Sequence, residues 1–309
     1  MIDFTVVICT HNRAELLRLT LAHLVAADSP PGGWDLLVIA NACTDETETV
    51  LQDRVQRLPN LRWAKEPIPG KSNALNRAIG MLRSPAAVFI DDDHRVSTDF
   101  LVEVRRALQE WPEAEMLCGR IQPDWDGTEP EWVHEKGPYP ILPRPIPAFY
   151  AGTKPRALSQ SETLPGGGNL IVRRQVFPRV GTFNPGLGPS GHDLGGAEDA
   201  DFLHRALAAG ERLFYVPAIL QYHAVNKDHL QLKYLVRKSF QRSRASQRFR
   251  MRSDSGIPLY LWKKCLIYGL KAVSSLPLAD RRRFYFVRLA AALGEMQGLR
   301  EAPVRDPRK

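Results

Sequence analysis

The sequence predicts an α/β protein, a mostly parallel sheet flanked by helices, with a helical extension at its carboxyl end. Three observations lead there. Short runs of apolar and β-branched residues alternate with stretches whose apolar residues recur at helical spacing, the pattern of right-handed βαβ units. One such run, Val88-Phe89-Ile90, ends in three consecutive carboxylates, Asp91-Asp92-Asp93. The charge is also divided along the chain. Residues 1–226 carry 22 Lys and Arg against 28 Asp and Glu, net −6, whereas residues 227–309 carry 20 against 6, net +14. That split predicts a sheet domain over 1–226 and a basic helical extension over 227–309.

In chain order, Phe4 to Thr10 is a first strand, broken by His11-Asn12-Arg13. Leu16, Leu17, Leu19, Leu21, Leu24 and Val25 then mark the apolar face of a helix. Trp34 to Ala40 is a second strand, and Asn41-Ala42-Cys43-Thr44-Asp45 is a turn into a second helix. Leu61 to Lys65 is a third strand. Lys71 to Leu82 is a helix with Ala74, Leu75, Ala78 and Ile79 inward, and the Val88–Ile90 strand follows. A helix over Thr98 to Glu110 and a strand over Met116 to Ile121 continue the alternation. Pro123 to Gln160 is Pro-rich, without a period, and is expected to form a wall or lid over a site. Gly166-Gly167-Gly168-Asn169 leads into a strand at Leu170 to Val172. A Gly-rich loop over 181–196, with His192 and Asp193, opens a helix from Ala197 to Leu207. Arg212 to Ala218 is the last strand, and Gln221 to Val225 ends the main body.

Composition narrows the function. With 44% apolar and 25% charged residues the chain is of ordinary globular type and long enough for a large core. Its four cysteines, Cys9, Cys43, Cys118 and Cys265, form no C-x-x-C pair. That argues against a zinc site or a disulfide framework and for a reducing, cytoplasmic setting. No apolar run reaches the ~20 residues of a membrane span, and the first residues enter a strand with no leader pattern. An acidic main body would repel a phosphate backbone, which argues against nucleic acid as a partner.

Asp91-Asp92-Asp93 is the sharpest chemical signal. Adjacent negative charges repel unless water or a cation neutralises them, and oxygen ligands of this kind suit Mg²⁺ or Mn²⁺. A buried strand ending in acids also lies where open α/β sheets bind ligands, at the carboxyl ends of the strands. Glu198 and Asp199 open a helix, where the dipole favours acids in any case. A structural role and a chemical one are both open for that pair.

Taken together, six short motifs occur in a telling order: Val6-Val7-Ile8-Cys9-Thr10-His11-Asn12-Arg13, the Asn41–Asp45 turn, Gly70-Lys71-Ser72-Asn73-Ala74-Leu75-Asn76, Asp91-Asp92-Asp93, Gly166–Asn169, and Gly196-Ala197-Glu198-Asp199. In this the chain resembles the family 2 glycosyltransferases, whose fold is the Rossmann-like GT-A fold. The resemblance implies a nucleotide-diphosphate sugar donor, a divalent Mn²⁺ or Mg²⁺, a glycan or polyprenyl-linked acceptor, and inversion at the anomeric carbon. It sets Thr10, Asn12, Arg13, Asn41, Lys71, Asn76, Asp91 and Asp92 around the nucleotide. It makes Asp93 and His223 metal ligands, and Asp199 the catalytic base with Glu198 as second candidate. One position departs: the family commonly has Asp-Asn in the second-strand turn, and here the pair is Ala40-Asn41. The base-binding acid is missing, which leaves GDP- and dTDP-sugars open beside UDP-sugars. A sugar-nucleotide nucleotidyltransferase is the competing enzyme class, but it would want glycines in the 10–13 turn, and there are none.

The basic extension reads as three helical stretches, over Asp228 to Arg252, Leu259 to Leu276, and from Arg281 onward. Lys and Arg alternate there with Trp262, Tyr260, Tyr268 and Phe284. Basic amphipathic helices with aromatics suit a membrane surface, so peripheral docking on the inner membrane face is expected; a helical cap on the sheet domain or a nucleic-acid surface are the alternatives.

Overall fold

A computed structural model describes residues 2–134, 136–142, 144–188, 198–248 and 256–301. His192, Asp193, Gly196, Ala197, Arg250 and Arg252, singled out in the sequence, lie outside the described residues. The chain divides into two compact units, one of residues 2–124, 147–188 and 198–224, the other of residues 125–146 and 225–301.

The first unit is a mixed α/β sheet structure. Its elements are β1 (Ile2–Thr10), α1 (Ala14–Ala26), β2 (Gly33–Asn41), α2 (Thr47–Arg57), β3 (Leu61–Glu66), α3 (Lys71–Gly80), β4 (Ala86–Asp91), β5 (His94–Val96), α4 (Phe100–Glu110), β6 (Met116–Asp124), β7 (Arg156–Leu158), β8 (Asn169–Arg173), α5 (Val176–Val180), α6 (Glu198–Ala208) and β9 (Leu213–Ala224). The strands pair in the order β3-β2-β1-β4-β8-β6-β9-β5, with β7 on β9. β3, β2, β1 and β4 run parallel; β8 is antiparallel to both neighbours, and β6 and β9 are parallel again.

The continuous apolar runs in the first strands follow from burial on both faces. Phe4, Val6 and Ile8 of β1 face a core shared with Leu17, Leu21 and Leu24 of α1 and Phe100 and Val104 of α4. Val7, between them, faces the other core with Ala74 and Ala78 of α3 and Phe202 and Leu203 of α6. Strand period two and helix period 3.6 therefore interlock on both sides of one sheet.

β5, β7 and α5 escaped the sequence. β5 is three residues long, α5 is five, and β7 falls inside the Pro-rich stretch. β9 runs on to Ala224, past the expected end at Ala218, because Pro217 sits where the β6–β9 register breaks, and a proline at a bulge mimics a strand end.

The second unit holds α7 (Leu232–Arg248), α8 (Leu259–Ser274) and α9 (Ala279–Glu301), preceded by a short 3₁₀ turn at Lys227–Leu230. α7 and α9 approach closely: a Cβ on Gly294 or Gly298 would strike the backbone of Phe240 or Arg244. Ser239 donates to the Val287 carbonyl (3.1 Å), and Arg244 pairs with Glu301 (2.8 Å). The first part of the Pro-rich stretch belongs to this unit. Ile141 shares a small core with Leu235 and Val287, Tyr139 lies against Phe284, and the Arg283 guanidinium lies 4.1 Å over the Trp132 ring. That part of the segment contributes to the small core of this unit.

Candidate active site

The strand order reverses between β1 and β4, each of which continues the sheet in the opposite direction from the next connection. Ligand crevices in open α/β sheets form at such a switch point, at the carboxyl ends of the strands. Here those ends are Thr10 and Asp91, with Cys9 paired to Asp91 across the two strands.

The three consecutive acids have three different environments. Asp91 accepts from Lys71 Nζ (2.7 Å). Burial works against its charge, but Lys71, then His94 and His223, outweigh burial and hold it well below the usual carboxylate range. Asp92 is 4% exposed and committed on both oxygens: Thr10 Oγ1 donates to one (2.7 Å), and Arg13 Nη1 donates to the other (2.9 Å). Its main-chain carbonyl accepts from Thr20 of α1 (2.9 Å). Burial raises the Asp92 carboxyl despite Arg13. Asp93 receives a second bond from Arg13 (3.1 Å) and turns its other oxygen toward two histidines.

Those histidines are His94 and His223, cross-strand partners in the β5–β9 ladder with ring centroids 4.9 Å apart. Asp93 Oδ1 lies 4.0 Å from His94 Nε2 and 3.8 Å from His223 Nε2. One ligand atom from each of the three residues falls within 4.8 Å of the others. The second ring nitrogens are already engaged, His94 Nδ1 with Gln221 Oε1 (2.6 Å) and His223 Nδ1 with the Ala224 carbonyl (2.8 Å). Fixing the tautomer this way turns each Nε2 into a candidate donor. His94 Nε2 is buried and has no hydrogen-bond partner among the described residues. A buried polar atom without a partner is costly, and a cation between it and Asp93 would remove that cost. Burial lowers His223, Asp93 raising it less, which favours the neutral ring a metal requires. The donor set therefore fits a divalent ion. With two imidazoles among three donors it is softer than the all-oxygen shell that Mg²⁺ prefers.

Gly166–Gly168 tie this centre to the candidate base. A Cβ on Gly168 would collide with the Asp91 carboxylate and come 2.8 Å from His94 Cε1. Only glycine lets that backbone lie against both. One residue earlier, the Gly167 N–H donates to Asp199 Oδ2 (2.8 Å), and the Ala200 N–H donates to Asp199 Oδ1 (2.7 Å). Glu198, beside it, is 3% exposed. Burial raises its carboxyl, Lys71 opposes this, and Asp199 adds to it. Lys71 thus stands among Asp91, Glu198 and Asp199. Burial disfavours its charge, but those three acids, Asp91 foremost, raise it. Lys71, Asp91, Gly167, Glu198 and Asp199 are among the residues that line a void of about 10 Å³, room for one water, among the described residues.

Several residues expected around a nucleotide are spent on the scaffold instead. Asn41 is 4% exposed; its amide donates to the Glu66 and Ile68 carbonyls (3.1 and 2.7 Å) and accepts from the Gly70 N–H (2.9 Å). Asn76 clamps the Phe183 backbone through both amide atoms (2.8 and 2.9 Å). Asn12, at a positive φ of 51°, accepts from the Thr44 N–H (2.7 Å) and so pins the second-strand turn. Thr10, Arg13 and Asp92 satisfy one another. Of the expected nucleotide-side residues, Arg13, Asp91 and Lys71 keep 46%, 30% and 27% of their side-chain surface exposed. His94 is a candidate ligand that the sequence did not single out. Its signal was its place directly after the acids, and its partner, His223, is 129 residues away.

The profile of the family described as "Glycosyl transferase family 2" matches residues 5–181, more than half of the chain. Among curated proteins, the Succinoglycan biosynthesis protein ExoM of Rhizobium meliloti is 23% identical over 303 residues, covering 94% of this chain and 91% of its own length. The Glucosyl-dolichyl phosphate glucuronosyltransferase of Haloferax volcanii is 22% identical over 244 residues, covering 76% and 74%. Among solved structures, the mannosyltransferase PcManGT from Pyrobaculum calidifontis, in complex with GDP-Man and Mn²⁺, superposes with a TM-score of 0.57 at 19% identity, over 93% of this chain and 73% of that one. S. aureus TarS 1–349 in complex with UDP-GlcNAc gives 0.55 at 14% identity, over 94% and 90%. Those structures share the fold, and the sequence match over more than half its length settles the lineage: this chain belongs to glycosyltransferase family 2.

Proposed function

We propose that the chain is an inverting, metal-dependent glycosyltransferase. It moves a sugar from a nucleoside-diphosphate donor to a hydroxyl of a glycan or polyprenyl-linked glycan, at the cytoplasmic face of a membrane. The observation that carries this reading is the gathering of Asp91, the Asp93–His94–His223 donor set and Asp199 at the switch point of one sheet, bridged by Gly167 and Gly168.

Asp93, His94 and His223 would hold the divalent ion, Mn²⁺ in preference to Mg²⁺, and when bound there it offsets the charge that grows on the leaving diphosphate. Asp91, kept ionised by Lys71, takes the ribose side of the donor. Lys71, Thr10, Arg13 and Asp92 act as positioning residues that set the acids in place. Asp199, held by two N–H groups, accepts the proton of the acceptor hydroxyl as that oxygen bonds to the anomeric carbon. Attack on the face opposite the diphosphate breaks the carbon–oxygen bond to phosphate, releases the nucleoside diphosphate and inverts the centre. Glu198, whose buried carboxyl favours its proton, is the poorer base. Loops that exclude water keep the donor from hydrolysis.

The second-strand turn supports altered base recognition. Ala40 has no side-chain acceptor, and both amide atoms of Asn41 are already engaged by the backbone. Calorimetric titration with UDP, GDP and dTDP, each with and without Mn²⁺, tests the whole reading. Metal-dependent binding of at least one nucleotide is expected. Exclusive, tight UDP binding would overturn the altered base recognition, and no binding of any of the three would overturn the donor site.

A further inference from the structure

The three basic helices do not stand alike. α7 turns its apolar residues Leu235 and Val236 into the small core with Val287 and Phe284 of α9. α8 packs on α9 by one face only: Leu261 and Ala272 are buried, Cys265 Sγ lies 3.4 Å from Met296 Sδ, and Tyr268 faces Tyr285. Its opposite face is apolar and open. Leu259 is 84% exposed, Trp262 52%, Leu266 65%, Leu270 65% and Val273 67%. Their spacing of three, four, four and three puts all five in one stripe less than a quarter-turn wide. The stripe continues into exposed Leu276 and Leu278 after the helix. Nine of the sixteen large exposed apolar residues among the described residues lie between 259 and 278. A monomer in water rarely exposes so continuous a patch.

We propose that α8 lies flat in the interface of an anionic lipid bilayer, its stripe of Leu259, Trp262, Leu266, Leu270 and Val273 among the acyl chains. The flanking charges select this partner. Lys263 borders the stripe, Lys264 and Lys271 sit farther round the helix toward α9, where Lys264 lies 3.9 Å from Glu295, Arg281, Arg282 and Arg283 follow, and no acid occurs between residues 256 and 279. Anionic headgroups attract each such cation, and Trp262 and Tyr260 suit the headgroup level. Pairing α8 with a second copy of itself would instead bring like charges together. Among the described residues no helix is long and apolar enough to cross a membrane, so the contact is peripheral. The sequence pointed to all three basic helices as a membrane surface; the packing assigns that role to α8, because α7 has its apolar face covered. This inference gives the membrane part of the proposed function its contact surface and does not depend on the donor site.

The test is flotation of the full chain with vesicles of neutral phosphatidylcholine, or of the same lipid with about a third phosphatidylglycerol. The chain should float with the anionic vesicles, poorly with the neutral ones, and less at high salt. Leu266→Gln with Leu270→Gln should cut anionic-vesicle binding at least tenfold. Both side chains are exposed, so thermal melting should stay unchanged. Lys263→Glu should give a smaller loss that vanishes at high salt. Equal flotation of the double variant, or no flotation of the parent chain, overturns the proposal. So does a parent dimer in sedimentation that the double variant dissociates without losing flotation, since the stripe would then be a self-interface. Nucleotide titration of the same proteins separates this outcome from failure of the transferase reading.

Discussion

Two buried carboxylate clusters lie toward opposite ends of the same strands and behave differently. Toward the amino-terminal ends, Asp35 of β2 accepts from Thr5 Oγ1 of β1 (2.5 Å) and from Arg62 Nε and Nη2 of β3 (3.0 and 2.6 Å). Thr5 also meets Ser84 (2.7 Å). Charge and hydrogen bonds close on themselves there, and three strands are tied together. At the carboxyl ends, Asp92 is closed in the same way by Thr10 and Arg13, but His94 Nε2 is left without a partner among the described residues. A satisfied buried network stabilises a fold; an unsatisfied one is retained where a ligand completes it. One cluster reads as structure and the other as a site for that reason.

The comparison can be broken at either end. The largest expected effect is on turnover: Asp199→Asn should lower kcat by about 10²–10⁴-fold, the usual worth of a general base, with nucleotide affinity nearly intact. A variant that keeps most of its activity would remove Asp199 from the role. Next, His94→Ala should weaken Mn²⁺-dependent nucleotide binding at least about tenfold; it should also lower the melting temperature modestly, because it opens a cavity and takes the hydrogen-bond partner from Gln221 Oε1. A large loss of stability with unaltered metal dependence would make His94 part of the scaffold.

Asp35→Ala should do the reverse. It leaves Arg62 without its buried partner and should cost ~3 kcal/mol of stability, with nucleotide affinity unchanged in the folded protein. Denaturant unfolding measures it. The smallest effect is a pH dependence. A carboxyl raised in the fold contributes stability that is present at low pH and lost as pH rises through its folded value. Glu198→Gln should therefore gain stability relative to the parent as pH climbs above the ordinary glutamate value of 4.5. A difference that does not change with pH between 4 and 8 would remove the burial of Glu198 as its cause.

Much of the fold was legible because it is written locally. The strands of the first half are buried on both faces, so their apolar runs are unbroken, and α1, α3 and α4 carry plain helical stripes. Acids in a row after Ile90 announced a site. The asparagines were less legible: Asn12, Asn41 and Asn76 stand in motifs beside the candidate site residues, and each spends its amide on a backbone. The sequence cannot distinguish an amide that meets a ligand from one that holds the loop carrying the ligand's partners.

The sequence by itself determined the α/β alternation, the position of the acids at a strand end, the acidic and basic halves, and enough ordered motifs for the family. These depend on neighbours within about twenty residues. Tertiary structure alone decided which atoms remain unpaired. The β5–β9 ladder brings His223 against His94 across 129 positions, and the turn at Asp92–Asp93 lets Asp93 and His94 face the same space. The crossing of α7 and α9 covers one basic helix and leaves α8 open. Pairing over such distances is fixed by register and packing, where one ladder or one helix face excludes another, and no local pattern records the choice.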